Sequence, residues 1–257
     1  MTMTRVEHAG RTASRTGAER WAAASGFGAL AFGAAAVALE RPWPGAGDPA
    51  AFPAFIAGNR DAILAQSLLF LISAGFFMWF LGSLRDFLLP AEQGTGRLAT
   101  LAFGAGMVGY GLNVVGQAPQ ITLTLPSQAG MQAGSAAVLT DLGYVMITIA
   151  NIPIAVMFLA IAVVSLRTRV FPTWLGWLAV VAAGAALLLS FAVVDPSGPL
   201  APQGWLSYAL YPAAIIWLVP AATVMIRRGR PVAAPPNGPP AAPPAGNGHR
   251  REVSTGP

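Results

Sequence analysis

Cysteine is absent from this chain, and so is lysine. The first absence excludes disulfide bridges, thiolate metal sites and a cysteine nucleophile. The second excludes Schiff-base chemistry and the lysine of a Walker-type phosphate loop. Histidine occurs only as His8 and His249, each near a chain end. From those positions neither can form a membrane-embedded Ser–His pair or ligate haem or zinc there. Charge is scarce too: 10% of the 257 residues are Asp, Glu, Lys or Arg, against about 25% in a soluble domain. A chain of this length with so few charges cannot cover a surface that faces water.

What is present instead is apolar. Hydrophobic residues make up 55% of the chain, gathered in runs near the roughly 20 residues that cross a bilayer as a helix. Six such runs can be read, at about 21–39, 61–84, 98–118, 136–166, 174–194 and 205–226. The expected fold class is therefore all-α, a polytopic membrane protein built as a six-transmembrane-helix bundle. Residues 1–20 are polar, and 229–257 are rich in Pro, Ala and Gly. Both read as disordered tails outside the membrane domain, 21–228. Ala36-Val37-Ala38 also fits a signal-peptidase site, but the run from Trp21 to Leu39 is long enough for a full span.

The connections are read from their breakers. Pro42, Pro44, Pro49 and Pro53 mark Glu40 to Arg60 as a loop. Trp43, Phe52 and Phe55 would then lie on the membrane surface or cap the bundle. Pro119 to Ser135 carries no charge and reads as a plain loop, with a re-entrant segment as the alternative. Pro212 and Pro220 predict a kink in the sixth run.

All fifteen basic residues are Arg, and thirteen of them fall in residues 1–20, in the segments 85–97 and 167–169, and from Arg227 to the C-terminal end. Arg41 and Arg60 alone lie on the other side. Six spans place both termini on one side, and the positive-inside rule makes it the cytoplasm. The net charge of +5 is thus a set of topology signals. It is not a nucleic-acid patch.

The fourth run, Ala136 to Leu166, is the stretch around which the rest is organised. Asp141, Tyr144, Thr148 and Asn151 recur in it at steps of three, four and three, along one face of a helix. The third run is packed with glycine: Gly104, Gly106, Gly109, Gly111 and Gly116. Gly106, Gly109, Asn113, Gly116 and Gln117 share a face there. Small residues let helix backbones approach in lipid and polar ones bond across the contact, so this face should meet the polar face of the fourth run. The candidate polar intramembrane site is Asp141, Tyr144, Asn113, Gln117, Gln66, Thr148 and Asn151. Asp141 leads, because a charge in hydrocarbon costs about 2.5–3.5 kcal/mol and burial would raise its pKa toward neutrality. The alternative is that Asp141 caps the helix start or meets water. Asn151, ahead of Pro153, could help re-satisfy the backbone that the proline disturbs. Arg60 and Asp61 read as a solvated ion pair.

Two motif matches fail on context. Gly104-Ala105-Gly106-Met107-Val108-Gly109 fits the dinucleotide pattern, but that pattern needs a preceding strand in water. Gly45-Ala46-Gly47-Asp48 fits the intramembrane aspartyl protease signature, but Asp48 lies in a proline-rich loop without a second motif. No catalytic, cofactor-binding or metal-binding residue is expected.

Phe80-Leu81-Gly82-Ser83-Leu84-Arg85, Arg97-Leu98-Ala99-Thr100-Leu101-Ala102-Phe103-Gly104, Asp141-Leu142-Gly143-Tyr144 and Phe171-Pro172-Thr173-Trp174-Leu175-Gly176-Trp177-Leu178 together resemble a group of six-span actinobacterial integral membrane proteins of unknown function. The likeness covers about residues 20–228. It implies a bacterial plasma-membrane location and carries no activity and no site residue with it.

Two functions stay open on the sequence. One is a non-enzymatic membrane protein that works through assembly with a lipid or protein partner, or with a second copy of itself. The other is a small-solute or proton-coupled carrier with an outward-facing polar site around Asp141.

Overall fold

The computed structural model describes residues 3–44, 48–125, 132–195, 198–201 and 204–228, with side chains from Trp21 onward except at Pro49. Its helices are α1 (Met3–Leu39), α2 (Phe52–Glu92), α3 (Arg97–Leu123), α4 (Ala133–Thr168), α5 (Thr173–Ser190), α6 (Trp205–Leu210) and α7 (Pro212–Arg228). Among the described residues there is no strand. Six segments are long and apolar enough to cross a membrane, α6 and α7 together forming the last, Trp205–Arg228. The chain is therefore an all-α, multi-pass integral membrane protein. Where a kink is expected in the last span, α6 and α7 separate at Tyr211 and Pro212 opens α7, which continues through Pro220.

Several helices overrun the bounds read from hydropathy. α2 starts at Phe52 rather than near Asp61 and ends at Glu92 rather than Leu84. Pro53 does not prevent this, because it sits in the first helical turn, where its missing N–H has no partner to lose. α3 runs through Pro119 to Leu123, and Pro90 lies inside α2. In lipid a helix keeps its backbone bonds around a proline rather than open an unsatisfied loop. α1 extends back to Met3, through the stretch expected to be a disordered tail, where several alanines and arginines favour helix. The expected disordered segment 229–257 lies outside the described residues, as does 126–131 in the expected loop. At 41 residues, α2 is about 61 Å long at 1.5 Å per residue. That is twice the roughly 30 Å hydrocarbon layer, so its ends project into the interfaces or the helix tilts.

The helices pack in a ring, α1 against α2 and α7, α2 against α3, α3 against α4, α4 against α5, α5 against α7. α4 also touches α2 across the ring and is the most deeply buried span. The large buried side chains gather at one end: Phe80, Leu84 and Leu88 from α2, Met157 and Ile161 from α4, Phe171 from the α4–α5 turn, and Trp217 from α7. Phe158 and Phe171 meet the Trp217 ring edge-on at 5.4 and 6.0 Å. The indole N–H donates to the Leu175 carbonyl at 3.2 Å, so the buried tryptophan leaves no polar atom unpaired. This is also the end that carries Arg85, Arg97, Arg167 and Arg228. Arg228 donates to the Val170 carbonyl at 2.7 Å and ties the α4–α5 turn to the end of α7. Glu92 closes the turn between α2 and α3. Its two carboxylate oxygens accept the Leu98 and Ala99 amides, each at 2.9 Å, a negative group on a helix N-terminus.

The glycine face of α3 meets α4 as expected. A Cβ on Gly109 would lie 2.7 Å from Ile154 Cγ1 and 3.2 Å from the Ala150 carbonyl oxygen. A Cβ on Gly116 would lie 3.3 Å from Met146 and 3.6 Å from the Gly143 carbonyl oxygen. Gly111, on another face, has nothing within 4 Å. Gly109→Val should therefore lower stability by about 1–3 kcal/mol through overpacking. Gly111→Val should leave stability unchanged or raise it, since glycine is a poor helix former. Thermal unfolding of the two variants checks this, and equal losses would contradict the close contact.

Candidate functional site

The end opposite the aromatic core is built differently. There the last turns of α3 and the first turns of α4 enclose a cavity of about 40 Å³. Its wall includes Gln117 and Gln120 from α3, Thr140, Gly143 and Tyr144 from α4, and Trp43 from the α1–α2 connection. The small face that brings α3 onto α4 thus also sets two amides opposite a hydroxyl and a phenol. Gln120 reaches the third helix: its Nε2 donates to Gln66 Oε1 at 2.5 Å and to Ser67 Oγ at 2.9 Å. Gln117 is 6% exposed, and its Oε1 has no hydrogen-bond donor among the described residues. Above the cavity, Phe52, Leu123 and Ala136 form a small second core, with Trp43 against Phe52 and Phe55 at ring separations of 6.4 and 5.0 Å. These aromatics cap the bundle. Arg60 and Asp61 form the expected exposed pair at 3.4 Å, and Arg60 Nε also donates to the Thr124 carbonyl at 3.1 Å.

The candidate residues divide into three groups. Gln117 and Tyr144 line the cavity, and Gln66 joins them only through Gln120. Asn113, Thr148 and Asn151 lie deeper, and each bonds to its own helix one turn back: Asn113 to the Gly109 carbonyl at 3.0 Å, Thr148 to Tyr144 at 2.8 Å, Asn151 to Ile147 at 3.3 Å. Asn151 also lies close enough to the Tyr211 hydroxyl to interact with it, which places it beside the break in the last span. It bonds the Ile147 carbonyl, whereas the carbonyl that Pro153 leaves without an i+4 amide is that of Ile149.

Asp141 stands apart. It is exposed and does not line the cavity. The inward face of α4 at this level is Thr140, Tyr144, Thr148 and Asn151, and at 100° per residue Asp141 lies roughly 65° from its middle. It is no helix cap either, since α4 begins at Ala133 with Gln132 in the capping position. About 12 Å of helix separates Ala133 from Asp141, in a helix of 36 residues that overruns the hydrocarbon layer. An exposed aspartate near that end is placed where headgroups and water can solvate it.

Sequence reasoning missed Gln120, Thr140 and Ser67 as site residues. Gln120 is one turn beyond Gln117 and would have joined it had Pro119 not been read as the end of the helix. Thr140 is one turn before Tyr144, at a better angle than Asp141. Among the described residues no group of three or more histidines and carboxylates could hold a metal ion. The cavity wall holds amides and hydroxyls without a formal charge. The cavity's volume of about 40 Å³ is small, on the scale of a few water molecules.

The chain matches no protein-family profile, no curated protein and no solved structure.

Replacing Gln120 with leucine removes the donor shared by Gln66 and Ser67 and should cost about 0.6–1.7 kcal/mol, the range of interhelical hydrogen bonds in membranes. Asp141→Asn should change stability by less than about 0.5 kcal/mol, as expected of an exposed substitution. Denaturation in detergent compares the two, and a larger loss for Asp141→Asn would reverse the assignment.

Proposed function

We infer that this is a non-enzymatic integral membrane protein that works by assembly with a membrane partner, seated in a groove along α3 and α4. The observation that carries this reading is the groove itself. It opens outward between the two helices with a volume of about 860 Å³, and its walls are mostly hydrocarbon, from Leu101, Gly104 and Val108 to Ile152 and Val156. It is far larger than the polar cavity at the other end of the same helix pair. The carrier reading loses its support at three points. Asp141 is exposed, the polar cavity is water-sized, and the arginine-rich half below it is filled by Phe80, Met157, Ile161 and Trp217. The arginine asymmetry supports cytoplasmic termini, and the resemblance to six-span actinobacterial proteins supports a bacterial plasma membrane.

A photo-crosslinking amino acid at Val108 tests the reading. Val108 is 57% exposed in the groove, and Val181 on α5 is 59% exposed outside it. Crosslinking in native membranes should capture one defined partner at Val108, and only bulk lipid at Val181. The same mixture of adducts at both positions would refute the groove as a docking site.

A further inference from the structure

The same groove has one polar end. Arg97, Thr95 and Thr100 line it where α3 begins, at the membrane boundary of the Arg97–Leu123 span. All three are exposed, and none has a side-chain partner among the described residues. The nearest carboxylate in sequence, Glu92, has both oxygens on the Leu98 and Ala99 amides. Arg85, by contrast, sits 3.6 Å from Asp86. A guanidinium and two hydroxyls, all donors without acceptors, thus stand at the mouth of an otherwise hydrocarbon slot. From Arg97 to Leu112 the slot runs about 22 Å along α3, more than the roughly 15 Å depth of one hydrocarbon leaflet. Gly104 leaves the middle of the slot open, with nothing within 4 Å of where a Cβ would be.

We propose that the groove is a binding site for an anionic phospholipid of the leaflet at the arginine-rich end, with its phosphate on Arg97, Thr95 and Thr100 and an acyl chain laid along Gly104 and Val108 toward Leu112. This rests on the reading of the groove as the docking site and names its occupant. The chemistry favours lipid over a partner helix. A helix crossing the groove would set apolar side chains against Arg97, whereas a phosphodiester supplies a charge and acceptor oxygens in the arrangement that a guanidinium binds bidentately. An anionic leaflet also concentrates such headgroups where basic residues cluster.

The test reconstitutes the full chain in nanodiscs of equimolar phosphatidylglycerol and phosphatidylcholine, extracts it into mild detergent, and counts retained lipids by native mass spectrometry. Wild type should hold one phosphatidylglycerol in preference to phosphatidylcholine. Arg97→Gln should reduce that preference about fivefold while a lipid is still held. Gly104→Leu fills the slot from an open position and should lose the lipid, with its melting temperature unchanged. If wild type holds both lipids equally and Gly104→Leu loses both, the headgroup assignment falls and the groove reading stands. If Gly104→Leu retains lipid like wild type, both fall. A second copy of the chain or another protein held at the groove in place of lipid overturns the lipid assignment alone.

Discussion

The close approach of α3 to α4 is the contact on which the rest of the molecule depends. In lipid there is no hydrophobic drive to press two apolar helices together, so association rests on van der Waals contact at short range. Gly106, Gly109 and Gly116 on one side and Gly143 on the other remove the side chains that would hold the backbones apart. The polar cavity and the groove both follow from this. Where the helices meet, α3 turns Gln117 and Gln120 toward Thr140 and Tyr144. Along their outer edge, where Gly104 faces outward, the pair leaves an open slot.

The bundle is divided along its length. The arginine-rich end is filled by large side chains, and its buried tryptophan has its hydrogen bond. The other end is held by amides and hydroxyls that bond across helices, with a small aromatic cap. A solute path would have to pass Phe77 stacked on Tyr110 at 3.8 Å and then the ring cluster at Trp217. The larger open concavity lies instead on the outer side of α3 and α4, and the proposed docking site rests on it.

Much of this architecture was legible because the membrane imposes it. Six apolar runs, arginines at one set of ends, a proline break at Pro212 and a glycine face on the third run follow from chain chemistry without tertiary knowledge. The ends of the helices did not. Pro53, Pro90 and Pro119 look like breakers by the rules for water, but one sits in a first turn and two lie in helices that stay intact around them. Reading Pro119 as a stop removed Gln120 from the site. Asp141 was misplaced for a related reason: its charge drew the face of α4 toward it, and a rotation of less than one residue puts Thr140 inside instead. The groove was not legible, since it depends on which residues of α4 flank Gly104 and Val108.

The most direct measurement of the account is a disulfide between α3 and α4. The chain has no cysteine of its own, so any crosslink reports only the introduced pair. Gly116→Cys with Gly143→Cys, made in native membranes and mildly oxidised, should form an intrachain bridge in high yield. Gly111→Cys with Gly143→Cys should form none. A bridge in the second pair and not in the first would mean that α3 presents a different face to α4, and the cavity and the groove would both have to be redrawn.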